Sequence, residues 1–193
     1  MLIIVRHGRT EANAQGLLLG RLDPPLDAEG RRQAAAVAAT LEGADRIVSS
    51  PLARTRETAA VISASTGTPV EVDDRWIELD YGEFDGVALV DIPPATWSSW
   101  RGDTGFCPPG GESLVTLSER VRGALDELAT DALHQDIVVV SHVSPIKAAV
   151  TWALGVDEEV TWRMFLAPAS ITRIGVQRGP VLQTFNETAH LAH

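Results

Sequence analysis

The chain has 193 residues, 45% of them hydrophobic and 22% charged, with a formal net charge of −10 at pH 7. That length holds one domain, or one domain with an insertion, and that apolar content fills a sizeable core. An excess of 26 acidic over 16 basic residues is the opposite of what nucleic-acid and membrane-surface binders show. An anion would be bound only if the few cations gather in one pocket. Arginine supplies nearly all of them, with Lys147 the single lysine; this suits a phosphate fork, and a high-GC coding bias gives the same ratio. The one cysteine, Cys107, allows no internal disulfide, suggests no cysteine-based zinc site and fits a reducing cytoplasm. Leu2 to Val5 is too short for a signal peptide and lacks a basic lead. No apolar run approaches the ~18–20 residues that span a bilayer.

Leu2, Ile3, Ile4 and Val5 run straight into Arg6, His7, Gly8, Arg9 and Thr10. The apolar run reads as a buried strand over 2–6, with Arg6 and His7 at or just past its carboxyl end. In open α/β sheets that edge is where ligands bind. The pair suits a histidine that attacks an anionic substrate held by arginine; it equally suits a solvated strand end. Residues 7–28 read as loop, punctuated by Gly8, Gly16, Gly20, Pro24 and Pro25. Asp27 caps a helix from Ala28 to Leu41, and residues 45–49 form a second short strand. Ser49 or Ser50 caps the next helix, which Gly67 closes. Arg54 lies one turn in and points back to the strand edge, whereas Arg56 faces the opposite side. Residues 70–72 are briefly extended. Glu78, Asp80, Glu83 and Asp85 follow among aromatics and glycines.

Residues 87–111 are the least regular stretch and read as a short helix plus loop, a possible lid. Leu114, Leu117, Val121, Leu125 and Leu128 keep helical spacing. Residues 137–140 make the clearest strand, ending in Ser141-His142, so a second strand delivers a histidine at its carboxyl end. A helix covers 145–154, and 170–176 with 181–186 pair as a closing hairpin. The alternation of strand and helix indicates an α/β fold in a single domain, 1–193.

Two histidines at strand ends, Arg54 at a helix start and Glu78 in an acidic loop form a chemically complete set for phosphoryl transfer. A neutral imidazole attacks phosphorus, cations neutralise the oxygens, and a carboxylic acid protonates the leaving group and then helps water attack. Two unit charges ~4 Å apart at an effective dielectric near 20 interact by ~4 kcal/mol, so three cationic groups around one phosphate suffice without a metal. Each residue has a plainer reading. His142 fits a core histidine, Glu78 has Asp80 and Glu83 as rivals, and Asn13 fits a turn cap. Arg9 fits a solvated side chain, and His134, His190 and His193 fit the surface.

The ordered stretches VRHGRTEAN (5–13), LDPPLDAEGRRQA (22–34), SSPLARTRETA (49–59), ELDYGEFDG (78–86), PPGGES (108–113) and VVVSHVSPIKA (138–148) resemble the histidine phosphatase superfamily. The branch is that of phosphoglycerate mutase and its phosphatase relatives. The resemblance implies a three-layer α/β/α sandwich with a mixed, mostly parallel sheet, and no cofactor or metal. It also implies His7 as nucleophile, Arg6, Arg54 and His142 as the phosphate pocket, and Glu78 as proton donor and acceptor. Asn13, Gly20 and Val143 would add phosphate contacts, and the Ser49-Ser50 pair would position Arg54. Arg9 stands where the family often has Glu or Gln. Val143-Ser144-Pro145 replaces the more usual glycine after the second histidine, a pattern similar to ribazole-phosphate phosphatase-like members and to acid phosphatase domains fused to ribonuclease H.

Mutase and phosphatase differ in whether a bound hydroxyl or water accepts the phosphoryl group. Segment 87–111 is short and holds only Arg101 as a base, which favours a phosphatase acting on a small phosphorylated metabolite. The rival of another class is a binding module that holds a phosphorylated ligand without turnover; intact His7 and Glu78 argue against it. Trp97, Trp100 and Phe106 suit either an apolar substrate or packing of the lid. Trp152, Trp162, Met164 and Phe165 fit either a homodimer contact or the core.

Overall fold

The computed structural model describes residues 1–192, so His193 lies outside the described residues. Six strands form one sheet: β1 (Leu2–Arg6), β2 (Arg46–Ser49), β3 (Val70–Val72), β4 (Ile137–Ser141), β5 (Ile171–Gly175) and β6 (Val181–Glu187). Their order is β3-β2-β4-β1-β5-β6. The β3-β2, β2-β4 and β4-β1 pairs are parallel; β5 runs antiparallel to β1 and β6 antiparallel to β5. The sheet is therefore mixed and mostly parallel.

Successive residues of the central strands supply two different cores, as the two-residue period of a strand requires. Leu2, Ile4, Val48, Ile137 and Val139 face one side. There they pack on Leu117, Val121 and Leu125 of α5 (Leu114–Asp131) and Ile146 of α6 (Val143–Leu154). Ile3, Val5, Ile47, Val138 and Val140 face the other side. Against them lie Val37 and Ala38 of α2 (Ala28–Thr40) and Ala59 and Ile62 of α3 (Ala53–Thr66). The result is the α/β/α sandwich implied by the resemblance. No described helix is long and apolar enough to cross a membrane.

Local chemistry sets the helix ends. Asp27 accepts a hydrogen bond from the Gly30 amide at 2.7 Å and caps α2, and Ser113 accepts from Thr116 and caps α5. Gly67 and Gly155 close α3 and α6 in the left-handed region, where a side chain would be strained. Two expectations change. The stretch after β1 contains a one-turn helix, α1 (Glu11–Ala14), nucleated by a reciprocal cap between Thr10 and Asn13; one turn is too short to leave a periodic signature. The cap residue of α3 is Leu52, with no side-chain bond. Ser50 Oγ is drawn instead to His142 Nε2 at 2.7 Å, and Asp23 Oδ1 takes the Ala53 amide at 2.6 Å.

Segment 87–111 contains α4 (Pro94–Gly102) and a small apolar core of its own. Trp100 is 1% exposed there. Its ring lies 5.3–6.0 Å from those of Tyr81, Phe84, Trp97 and Phe106. Trp152 and Trp162 pack against the main core, whereas Phe165 is 75% exposed. His134 is exposed, and the His190 ring makes a 2.9 Å contact with the Ala169 carbonyl.

Candidate active site

Parallel pairing places the carboxyl ends of β1, β4 and β2 side by side, with Arg6 opposite Ser141 in register. His7 follows β1 and His142 follows β4, and their ring centroids are 5.2 Å apart. His7 is 3% exposed and its Nδ1 lies 2.7 Å from the Gly8 carbonyl. A carbonyl only accepts, so Nδ1 carries the proton and the Nε2 lone pair is free. Gly8 is needed by contact: a Cβ there would strike the Gly30 carbonyl. The Gly8 amide donates to Thr58 Oγ1 at 3.1 Å, which ties the turn to α3.

Arg54 is fully buried. Its Nε donates to His142 Nδ1 at 3.2 Å, Nη1 to the Leu22 carbonyl at 2.7 Å and Nη2 to the Gly20 carbonyl at 2.8 Å. Three of its five N–H groups are thus held by protein and two remain for a ligand. Because His142 Nδ1 accepts, its Nε2 is the protonated nitrogen and donates to Ser50 Oγ. Arg6 Nη1 donates to the Leu166 carbonyl at 2.6 Å, and its buried Nε has no protein partner. An unpaired buried donor costs roughly 1–3 kcal/mol, so this nitrogen favours an anionic acceptor.

Glu78 is 3% exposed. Its Oε1 accepts from the Leu79 and Ser144 amides at 2.8 and 3.1 Å, and Oε2 from the Val143 amide at 3.0 Å. The carboxylate thus occupies the first turn of α6, where amides have no helical partner and negative charge is favoured. The preceding turn is fixed by buried Trp76, whose carbonyl accepts from Ser141 Oγ at 2.7 Å. Arg120 adds bonds to the carbonyls of Arg75 and Glu78 at 2.6 and 3.3 Å, with Glu112 holding its guanidinium. The rivals have other roles: Asp80 accepts from the Gly82 amide at 2.9 Å, and Glu83 is exposed.

Burial is the largest influence on His7, His142, Arg6, Arg54, Tyr81 and Lys147. It depresses the pKa of both His7 and His142 well below 6.5, reinforced by Arg54 and Arg6. It brings Arg6 down to about 10, against the favourable charge of Glu78. Burial also lowers Arg54 and Lys147 and raises Tyr81. His142 is accordingly neutral near pH 7. Around the two rings the cations are then Arg6 and Arg54, rather than the three the sequence suggested.

Two supporting contacts also differ from expectation, those of Val143 and Gly20. The Val143 amide serves Glu78 instead of an open anion slot. The Gly20 amide donates to Asp85 Oδ1 at 2.7 Å and its carbonyl holds Arg54, so Gly20 orders an arginine and offers no free group. Asn13 Oδ1 is engaged by Thr10, which leaves only its amide nitrogen to donate outward. Arg9 is not merely solvated, since it pairs with Asp27 at 2.7 Å. Sequence reasoning missed Ser50 as the partner of His142, and Thr58, Asp85, Glu112 and Arg120 as supports. Ser50, Thr58, Asp85 and Glu112 did stand inside quoted motifs, whereas Arg120 did not.

The family model of the histidine phosphatase superfamily (branch 1) matches residues 2–188. The chain belongs to this superfamily. Among curated relatives, it is 36% identical over 197 residues to Phosphoserine phosphatase 1 of Hydrogenobacter thermophilus, covering 98% of this chain and 93% of that protein. It is 34% identical over 198 residues to Bifunctional protein Rv2228c of Mycobacterium tuberculosis. That match covers 98% of this chain and 54% of the relative, so the chain spans about half its length. Among solved structures, phosphoserine phosphatase from Entamoeba histolytica in complex with 3-phosphoglyceric acid superposes with a TM-score of 0.90 at 29% identity, covering 98% of each chain. The histidine phosphatase fold thus accounts for the placement of both histidines at neighbouring strand ends.

Proposed function

We propose that this chain is a metal-independent phosphomonoesterase that works through a phosphohistidine on a small phosphorylated metabolite. The observation that carries the reading is His7: a buried, neutral imidazole with its proton fixed on Nδ1, beside two arginines with donors to spare. The Nε2 lone pair forms a bond to phosphorus as the bond to the leaving oxygen breaks. Glu78, carrying a proton taken up together with the substrate, gives it to that oxygen. The resulting carboxylate then takes a proton from water as the water oxygen bonds to phosphorus and the N–P bond breaks. Phosphate departs, and His7 is neutral again. Arg6 and Arg54 offset the charge on the phosphoryl oxygens, and fixed charge in a dry site is the main catalytic resource.

Water is favoured over a sugar-acid hydroxyl as acceptor by the wall above the site. Arg101 is the only base in segment 87–111, and its guanidinium sits over the Trp97 ring at 5.7 Å. Nothing basic in that wall is left to hold a second phosphorylated acid. The wall is well packed through Trp100 and Tyr81, which supports a lid of limited mobility. The single free thiol, Cys107, is consistent with a cytoplasmic location. Of Trp152, Trp162, Met164 and Phe165, Phe165 is the exposed one, which supports a homodimer contact there, and sedimentation equilibrium tests it.

The test is phosphate release in EDTA from p-nitrophenyl phosphate, phosphoserine, 3-phosphoglycerate, ribazole phosphate and sugar phosphates, each beside the His7→Ala variant. Release that survives EDTA and requires His7 supports the reading. Isomerisation of 3-phosphoglycerate would replace it with a mutase. Tight phosphate binding without release or phosphohistidine would replace it with a binding module.

A further inference from the structure

Arg54 is anchored in an unusual way. Among the described residues no carboxylate pairs with it directly; two backbone carbonyls, Gly20 and Leu22, hold its Nη atoms. Those carbonyls belong to a stretch, 20–22, that is neither helix nor strand. Such a stretch presents two carbonyls to one guanidinium only if its backbone is fixed from the other side. Asp85 does this. Its Oδ1 accepts from the Gly20 amide at 2.7 Å, and its Oδ2 accepts from the Arg21 and Leu22 amides at 2.7 and 2.8 Å. Three successive N–H groups therefore close on one carboxylate, while the first and third carbonyls turn to Arg54. Concave runs of amides of this kind bind anions, and here the anion is a side chain.

Asp85 is itself held. Its amide donates to the Gly82 carbonyl at 3.1 Å, and on either side of Leu18 the Gly86 and Val87 backbones pair with it at 2.7 and 2.8 Å. Gly20 is pressed against the same wall: a Cβ there would lie 2.8 Å from the Leu79 carbonyl oxygen and 2.9 Å from Tyr81 Cδ2. Arg21 reaches Glu112 at 3.4 Å, which braces the stretch from the side of the Arg120 clamp. The negative charge of Asp85 also acts on Arg54 at longer range.

We propose that Asp85 is a positioning residue for Arg54: by gathering the amides of residues 20–22, it aims the Gly20 and Leu22 carbonyls that orient the guanidinium toward the phosphoryl group. The inference rests on the phosphomonoesterase reading for Arg54's role toward substrate, but its structural half stands apart from turnover. An amide at position 85 offers one acceptor oxygen and one NH2, and the NH2 would face the amides it must bind. Asp85→Asn therefore loosens Arg54 without touching it.

The experiment is a double-mutant cycle of Asp85→Asn and Arg54→Ala, read by kcat/KM for p-nitrophenyl phosphate, by affinity for inorganic phosphate, and by the Arg54 Nε–H resonance in NMR. Thermal unfolding checks that each variant is folded. In the wild-type background, Asp85→Asn is expected to lower kcat/KM by roughly 10–100-fold, weaken phosphate binding and broaden or shift the Arg54 signal. In the Arg54→Ala background the same change is expected to cost less than about twofold, because residues that act through one another are not additive. Equal losses in both backgrounds, or an unchanged Arg54 resonance in folded Asp85→Asn, would overturn the proposal. If Asp85→Asn does not fold, Asp85→Glu keeps both acceptor oxygens; an intermediate loss that again vanishes in the Arg54→Ala background is expected, and an additive loss overturns the proposal. If the wild-type protein releases no phosphate, the functional reading falls, and the Arg54 resonance still decides the positioning.

Discussion

The reactivity assigned to His7 comes from several separate contacts. The Gly8 carbonyl fixes the tautomer, burial keeps the ring neutral, and Arg6 and Arg54 repel a second proton. His7→Ala removes the nitrogen so prepared, and turnover is expected to fall to background. Arg54→Ala is expected to cost about 10²–10³ in kcat, the scale of losing one donor aimed at developing charge; steady-state kinetics on p-nitrophenyl phosphate checks both. Glu78→Gln removes the acid but keeps an acceptor for some of the amides around it. It is expected to slow an alkyl phosphate more than p-nitrophenyl phosphate, whose leaving group needs no proton; equal losses would deny Glu78 the acid's role. At this scale the sequence was legible wherever chemistry sits next to a strand end, as with Arg6-His7 and Ser141-His142. It did not show the partners of Asp85, Ser50 and Arg120. Each acts on a partner 42–92 residues away through backbone groups or ring nitrogens, which no local pattern records.

Elements set the site by where they stop. β4 is buried to its end and β1 up to Val5, and the residue after each strand is a histidine with no room to turn to solvent. α6 begins right after His142, and its first amides hold Glu78 next to that histidine. α3 projects Arg54 back under the strand edge, but from its second residue rather than one turn in, because the helix begins at Ala53. α4 is different, because its place depends on Trp100 and the rings around it. Trp100→Ala is expected to destabilise the fold by about 3–5 kcal/mol, the usual cost of deleting a large buried aromatic. It should raise KM more than it lowers kcat, since it loosens a wall rather than the reacting groups. Urea denaturation and steady-state kinetics give the two numbers; an unchanged midpoint would mean the aromatic cluster is not a core. The long helices and buried strands were readable from their periods. The one-turn α1 and the true cap of α3 were not, because side chains there answer to partners outside their own segment.

Across the whole molecule, the order β3-β2-β4-β1-β5-β6 brings β1 and β4, 135 residues apart at Leu2 and Ile137, into adjacent register. Local sequence predicted the strands but not this order, which long-range packing on two cores decides. The same burial that shapes the site makes stability depend on pH. In the unfolded chain His7 and His142 titrate near 6.5; in the folded one they titrate well below it. The unfolded state thus binds more protons as pH falls below 6.5, and stability is lost from there down through the folded pKa values. Tm is expected to hold near pH 7–8 and to decline below about 6.5, with the slope reduced in His142→Gln. For the same reason kcat/KM should persist below pH 6.5, where an ordinary histidine would already be protonated.

The most direct measurement is to quench the protein during turnover of p-nitrophenyl phosphate, keep it alkaline, and locate the phosphoryl group by peptide mass spectrometry. The account predicts phosphohistidine on the peptide that contains His7, and none in His7→Ala. Turnover with the phosphoryl group on another residue, or on none, would contradict it.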